Sequence, residues 1–261
     1  MCRTTESADS SLPRYFFIHV MKTGGTALAT NVSTNFAADE VYPHRALDLS
    51  DHSSDNIPLR VLTIDYLRSL PADRRARIRL YATHFPFVAC EMLGGGFHTM
   101  TMLREPVDRT TSLLRQFQRY ETSADAGDGR TDAPRLEEIY ERSHVFEPLV
   151  HNHQTKIFSM TVADDPKGYM QTIDVDEARL ALAKRNLASV DVVGLTEQHA
   201  DFVNEVAERF GWSLKREVRA NSAPDDSPEV SGSFRRRIAA DNAIDIEFYE
   251  YATQLVASRR N

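Results

Sequence analysis

Lys22 begins a short stretch, Lys22, Thr23, Gly24, Gly25 and Thr26, whose residue types suit the binding of an oxyanion. The lysine supplies a full positive charge, and the two threonines supply hydroxyl donors. The glycines let the chain approach a ligand oxygen closely. A second set lies downstream, where Arg104 and Ser112 stand eight residues apart in TMTMLREPVDRTTSLL, residues 99–114. A guanidinium grips a phosphate by paired hydrogen bonds, and a hydroxyl adds a donor. Two anion-holding sets and one lysine describe a site for a ligand with phosphate or sulfate at both ends.

Each set needs an element to aim it. Phe16, Phe17, Ile18 and Val20 form an apolar run suited to a buried strand, and TALATNVSTNF after the glycines has a helical pattern. Strand, glycine turn and helix bring free N–H groups and the positive end of the macrodipole to one point. Arg104 closes a second apolar strand, the position at which ligands gather in open α/β sheets. Pro106 fits the first turn of the helix that follows. The first loop is not a Walker A sequence, because Lys22 precedes the glycines instead of following them. The competing accounts are plain. The first motif would be an ordinary strand-to-helix turn with a surface lysine. The second would be a strand-end arginine paired with Glu105 or Asp108.

Taken together, the motifs resemble those of the PAPS-dependent sulfotransferases. KTGGT is similar to their 5′-phosphosulfate loop, and LREPVDRTTS to their 3′-phosphate motif. Within that superfamily the chain resembles the carbohydrate type that includes heparan sulfate 2-O-sulfotransferase. YATHFPF (81–87) is similar to that group's tyrosine-x-x-histidine segment, DVVGLTEQHADFV (191–203) to its VGVTE strand and helix, and IEFYEYA (246–252) to its C-terminal NEFYEFA. Met21, Ala27 and Glu105 depart from the usual proline, hydroxyl residue and aspartate.

The resemblance implies PAPS as sulfuryl donor, PAP as product, no metal, and a hydroxyl-bearing acceptor such as a carbohydrate, glycolipid or small alcohol. Lys22 would stabilise the leaving nucleotide. Thr23, Gly24, Gly25, Thr26 and Ala27 would cradle the 5′-phosphate, and Arg104 and Ser112 the 3′-phosphate. His84 is the candidate base, because it ends a strand and an ordinary histidine accepts a proton near neutral pH. His19 reads as structural. A kinase-like phosphotransferase would need ATP, Mg²⁺ and a metal-binding aspartate after the second strand. A noncatalytic protein retaining the nucleotide pocket is the third alternative.

Alternation of strands and helices implies one α/β domain, P-loop-like, with a central mostly parallel sheet flanked by helices. It would span 14–261 behind a disordered tail of residues 1–13. Single helices are expected over 63–77 and 147–160. ETSADAGDGRTDAP (121–134) reads as a flexible loop able to gate the acceptor. His151 and His153 would share one face of a strand, and no nearby carboxylate or thiol completes a zinc set. Of the chain's 261 residues 41% are hydrophobic, enough for a sizeable core. No apolar run is long enough to span a membrane, and the N-terminus lacks a signal-like segment. Two cysteines, Cys2 and Cys90, argue against a disulfide framework, so a cytoplasmic location is expected. A net charge of −7 opposes nucleic-acid binding. Two basic runs, RRARIR (74–79) and FRRRI (234–238), read as solvated helix faces, with Arg235 to Arg237 as the alternative cover for the nucleotide.

Overall fold

A computed structural model describes residues 12–48, 59–125, 133–215 and 230–260. Five strands, β1 (Arg14–Ile18), β2 (Val41–Tyr42), β3 (Leu80–Thr83), β4 (Phe97–Leu103) and β5 (Val192–Leu195), form one sheet in the order β2-β3-β1-β4-β5. Every pairing is parallel. Helices of six or more residues among the described residues are α1 (Gly25–Ser33), α2 (Ile64–Ser69), α3 (Ala72–Arg77), α4 (Pro106–Asp125), α5 (His153–Ser159), α6 (Glu177–Ala188), α7 (His199–Phe210), α8 (Gly232–Asp241) and α9 (Ala243–Arg260). The α/β architecture read from the alternation is the one observed. None of these helices is long and apolar enough to cross a membrane.

Strand β1 shows why the sheet is covered on both faces. Its side chains alternate sides, as a strand requires. Phe16 and Ile18 enter one buried cluster, while Tyr15 and Phe17 enter another with Leu28, Met100 and Phe202. Both sets leave water, so the strand reads as a continuous apolar run. Burying each such side chain contributes about 1.5–3 kcal/mol.

The strand order reverses beside β1: β3 lies on one side and β4 on the other. In open parallel sheets this reversal opens a crevice beyond the carboxyl ends of the strands. Lys22, His84, Arg104 and Thr196 all follow such ends.

Several expectations need correction. The helix expected over 63–77 is two helices, because Leu70 before Pro71 is extended (φ −61°, ψ 151°). A residue before proline is pushed out of the helical region. The helix expected over 147–160 is interrupted: a π-turn spans Phe146–Val150, Asn152 is left-handed (φ 45°), and α5 starts at His153. His151 and His153 therefore flank a turn and share no strand face. The short β2 was not foreseen. The tail through residue 11 and the core of the 121–134 loop lie outside the described residues.

Candidate active site

The loop after β1 is built from backbone conformations that few residues accept. Lys22 has φ 66° and Gly24 has φ 83°. For Lys22 a left-handed backbone costs about 1–2 kcal/mol, and such strain concentrates where a side chain must be aimed. Gly24 occupies the N-cap of α1 without a side-chain cap, so the first N–H groups of that helix have no intrahelical partner. Thr26 is exposed there, and Gly24 and Ala27 are half-buried.

The Thr23 hydroxyl is buried and donates to the Val20 carbonyl at 2.9 Å, so it braces the turn. From the other side, the Thr196 hydroxyl lies 2.9 Å from the Thr23 carbonyl and 3.1 Å from that of Leu103, tying the loop to the ends of β4 and β5.

Gly25 is fixed by packing. A Cβ there would stand 2.3 Å from His19 Cδ2 and 2.9 Å from Phe17 Cζ. His19 is buried and stacked on Phe17 with ring centroids 5.1 Å apart, so it has little room to yield. Gly25→Ala is expected to lower stability by about 1–3 kcal/mol, the usual range for overpacking. That corresponds to roughly 2–4 °C in thermal midpoint per kcal/mol, readable by calorimetry. An unchanged midpoint would show that the His19 contact is not tight.

Arg104 is not paired with its neighbouring acids. Its guanidinium donates to the Lys22 carbonyl at 3.3 Å. Neither neighbouring acid takes it. Glu105 accepts from the backbone N–H groups of Val107 (3.0 Å) and Asp108 (2.8 Å), capping α4, a role the sequence reading missed. Asp108 pairs with Arg235 at 2.9 Å. Gln154, fully buried, accepts from the Arg104 N–H at 3.1 Å and donates to its carbonyl at 2.8 Å. Gln154 is held in turn by the Asp245 carboxylate, which accepts its N–H at 3.0 Å and the Thr155 N–H at 2.7 Å. The first turn of α9 thus fixes the exit of β4 through the start of α5. Ser112 stands half-buried on α4, two turns before Arg119.

His84 lies next to the same loop. Its Nδ1 is 2.6 Å from the His19 carbonyl, and its ring centroid is 4.2 Å from that of His19 and 5.2 Å from that of Tyr169. A carbonyl only accepts, so Nδ1 carries the proton and Nε2 keeps its lone pair. Burial, with the Lys22 charge nearby, lowers the imidazole to about 4. Burial and the positive charges of Arg119 and Arg104 lower the Lys22 ammonium to about 8. Lys22, His84, Arg104 and Arg119 therefore share one electrostatic neighbourhood. Arg119 was not singled out from sequence. Its signal was the spacing 108, 112, 115, 119, one face of α4.

The basic run 234–238 divides: Arg235 reaches Asp108 beside this site, while Arg237 pairs with Glu141 at 2.8 Å. Cys90, in the turn Ala89–Met92, is half-buried and pushed up to about 12 by burial.

No family model and no curated protein matches the chain. Among solved structures, the crystal structure of a sulfotransferase from Alicyclobacillus acidocaldarius is similar to it, with 16% identity and a TM-score of 0.43 over 92% of this chain and 95% of that one.

Proposed function

We propose that this chain transfers a sulfuryl group from PAPS to the hydroxyl of an acceptor. The observation that carries the reading is the meeting of two stretches 82 residues apart, with the Arg104 guanidinium on the Lys22 carbonyl. That contact sets an arginine suited to one phosphate beside a glycine loop and a helix start suited to another. In this reading the α1 amides of Gly25, Thr26 and Ala27 take the 5′-phosphate, while Arg104 and Ser112 take the 3′-phosphate. His84 Nε2 removes the acceptor proton as the acceptor oxygen bonds to sulfur. The bond from sulfur to the bridging phosphate oxygen breaks, and Lys22 stabilises the charge left on PAP. As in phosphoryl transfer, positioning and electrostatics supply most of the rate.

The acceptor class belongs to the proposal as well: a sugar, a lipid-linked sugar or a small alcohol. A net charge of −7 weighs against a densely sulfated polymer, which would call for a broad basic face. Thermal stability with PAP, PAPS or ATP tests the donor. A shift with PAP in the absence of Mg²⁺ supports sulfuryl transfer. A shift only with ATP and Mg²⁺ supports a phosphotransferase instead. PAP binding with no SO₃ gain on any compound of a host extract, followed by mass spectrometry, supports a noncatalytic role.

Arg104→Ala should weaken PAP binding by about 10- to 100-fold, the range for a lost charge-assisted contact of 1.5–3 kcal/mol. Calorimetric titration reads this directly. Equal PAP affinity in that variant would remove the 3′-phosphate assignment.

A further inference from the structure

The basic run 74–79 takes no part in this site, and it does not form a uniform solvated face. It lies at the opposite end of the sheet, beside the first residues of β1, β3 and β4. Arg74 turns inward, donating to the carbonyls of Asp39 and Val41 at 2.7 Å each and pairing with Asp48 at 2.8 Å. Arg75, Arg77 and Arg79 instead line a cavity of about 980 Å³, together with Arg14 and Arg68.

Five guanidinium groups therefore face two carboxylates, Asp39 and Glu40, and both carboxylates are taken. Arg77 holds Asp39 at 3.0 Å, and Arg79 holds Glu40 at 2.9 Å. Arg14 lies over the Phe97 ring at 4.1 Å and donates to the Leu93 carbonyl at 3.2 Å. Arg68 and Arg75 are exposed and form no ion pair among the described residues. The apolar surface of the remaining wall comes from Leu12, Met92 and Leu93, backed by the buried Leu67 and Ile78.

We propose that this cavity is a second ligand site, for an organic anion with an apolar body. Arg68 and Arg75 take the anionic group, and Leu12, Met92 and Leu93 take the hydrocarbon or aromatic part. Excess positive charge here is local, because the whole chain carries −7. The volume sits at the upper end of small-molecule sites, about 300–1,000 Å³, and far exceeds what a bare ion fills. Guanidinium is weakly hydrated and binds oxyanions in paired geometry, so it gives up water to such a ligand readily. The site is separate from the donor crevice and does not depend on the reaction proposed above.

The test uses 8-anilinonaphthalene-1-sulfonate, an aryl sulfonate whose fluorescence rises on leaving water. Wild-type protein should bind it saturably at one site, more weakly at raised salt. Decyl sulfate should displace it, while equimolar inorganic sulfate and excess PAP should not. The double variant Arg68→Ala/Arg75→Ala should weaken binding at least about tenfold, as expected for losing two charge-assisted contacts. Both side chains are exposed, so its thermal midpoint should match wild type. Unchanged affinity in the double variant, displacement by PAP, or non-saturable binding would overturn the proposal.

Discussion

Lys22→Ala should lower kcat by about 100- to 1,000-fold, the typical cost of removing one donor aimed at developing charge. PAP affinity should fall far less, because Arg104 and the α1 amides hold the phosphates in the proposed arrangement. The split between the two readouts is the point of the experiment. An ammonium lowered to about 8 by burial and by two arginines is already uncomfortable in the donor-free protein. It gains most where negative charge appears, which in the proposed reaction is the bridging oxygen as the bond to sulfur breaks. Interactions stronger in the transition state than in the ground state raise kcat.

The backbone offers a control. Lys22 has φ 66°, so alanine there keeps the strain and loses the charge. Lys22→Gly removes both, relieving about 1–2 kcal/mol of left-handed cost. Both variants should be equally slow, with the glycine variant the more stable in thermal denaturation. Near wild-type kcat in Lys22→Gly would take the side chain out of the chemistry. Equal losses of kcat and PAP affinity would make Lys22 a binding residue only.

What the sequence disclosed and what it hid follow from the range of the forces involved. The strand-to-helix turns at Lys22 and Arg104 were legible because their signals are local: an apolar run, then glycine or proline. Strands β1, β3, β4 and β5 and the long α4 declared themselves the same way. The two-residue β2 has no periodicity of its own and exists through pairing with β3 (Val41 with Leu80). The break before α5 depends on Asn152 entering the left-handed region, where its N–H meets the Asn242 side chain at 2.9 Å, 90 residues away. The bond of the Thr23 hydroxyl was hidden for a related reason. Its residue type fits an anion donor, but a carbonyl three residues back claims the hydroxyl. Whether a polar side chain faces a ligand or its own turn is set by burial, and Thr23 is fully buried. The division of the 74–79 run was hidden likewise. Arg74 and Arg75 are adjacent in sequence yet project from different sides of α3, one to the buried Asp48 and one to the cavity.

His84→Ala should slow transfer by about 100- to 10,000-fold, the usual contribution of a positioned general base, with PAP binding little changed. The pH dependence carries more information than the magnitude. In the donor-free protein the imidazole sits at about 4 and the ammonium of Lys22 at about 8. In the proposed reaction the base works unprotonated and the lysine works protonated. Since kcat/KM for the donor reports the free protein, it should fall on the acid side near pH 4 and on the alkaline side near pH 8. In the proposed complex, bound donor adds negative charge near both groups, which favours the protonated form of each. Both limbs of the kcat profile should therefore lie at higher pH than those of kcat/KM. In His84→Gln the acid limb should vanish while the alkaline limb stays. If turnover survives in His84→Ala, or if the acid limb persists there, the proton goes elsewhere. Tyr169 and His19 are the aromatic neighbours in contact with the His84 ring. His19 is buried against Phe17 and Gly25, and the phenol of Tyr169 is pushed up to about 12 by burial. Neither accepts a proton near neutrality as readily as an imidazole whose Nε2 lone pair is kept free by the bond from Nδ1 to His19.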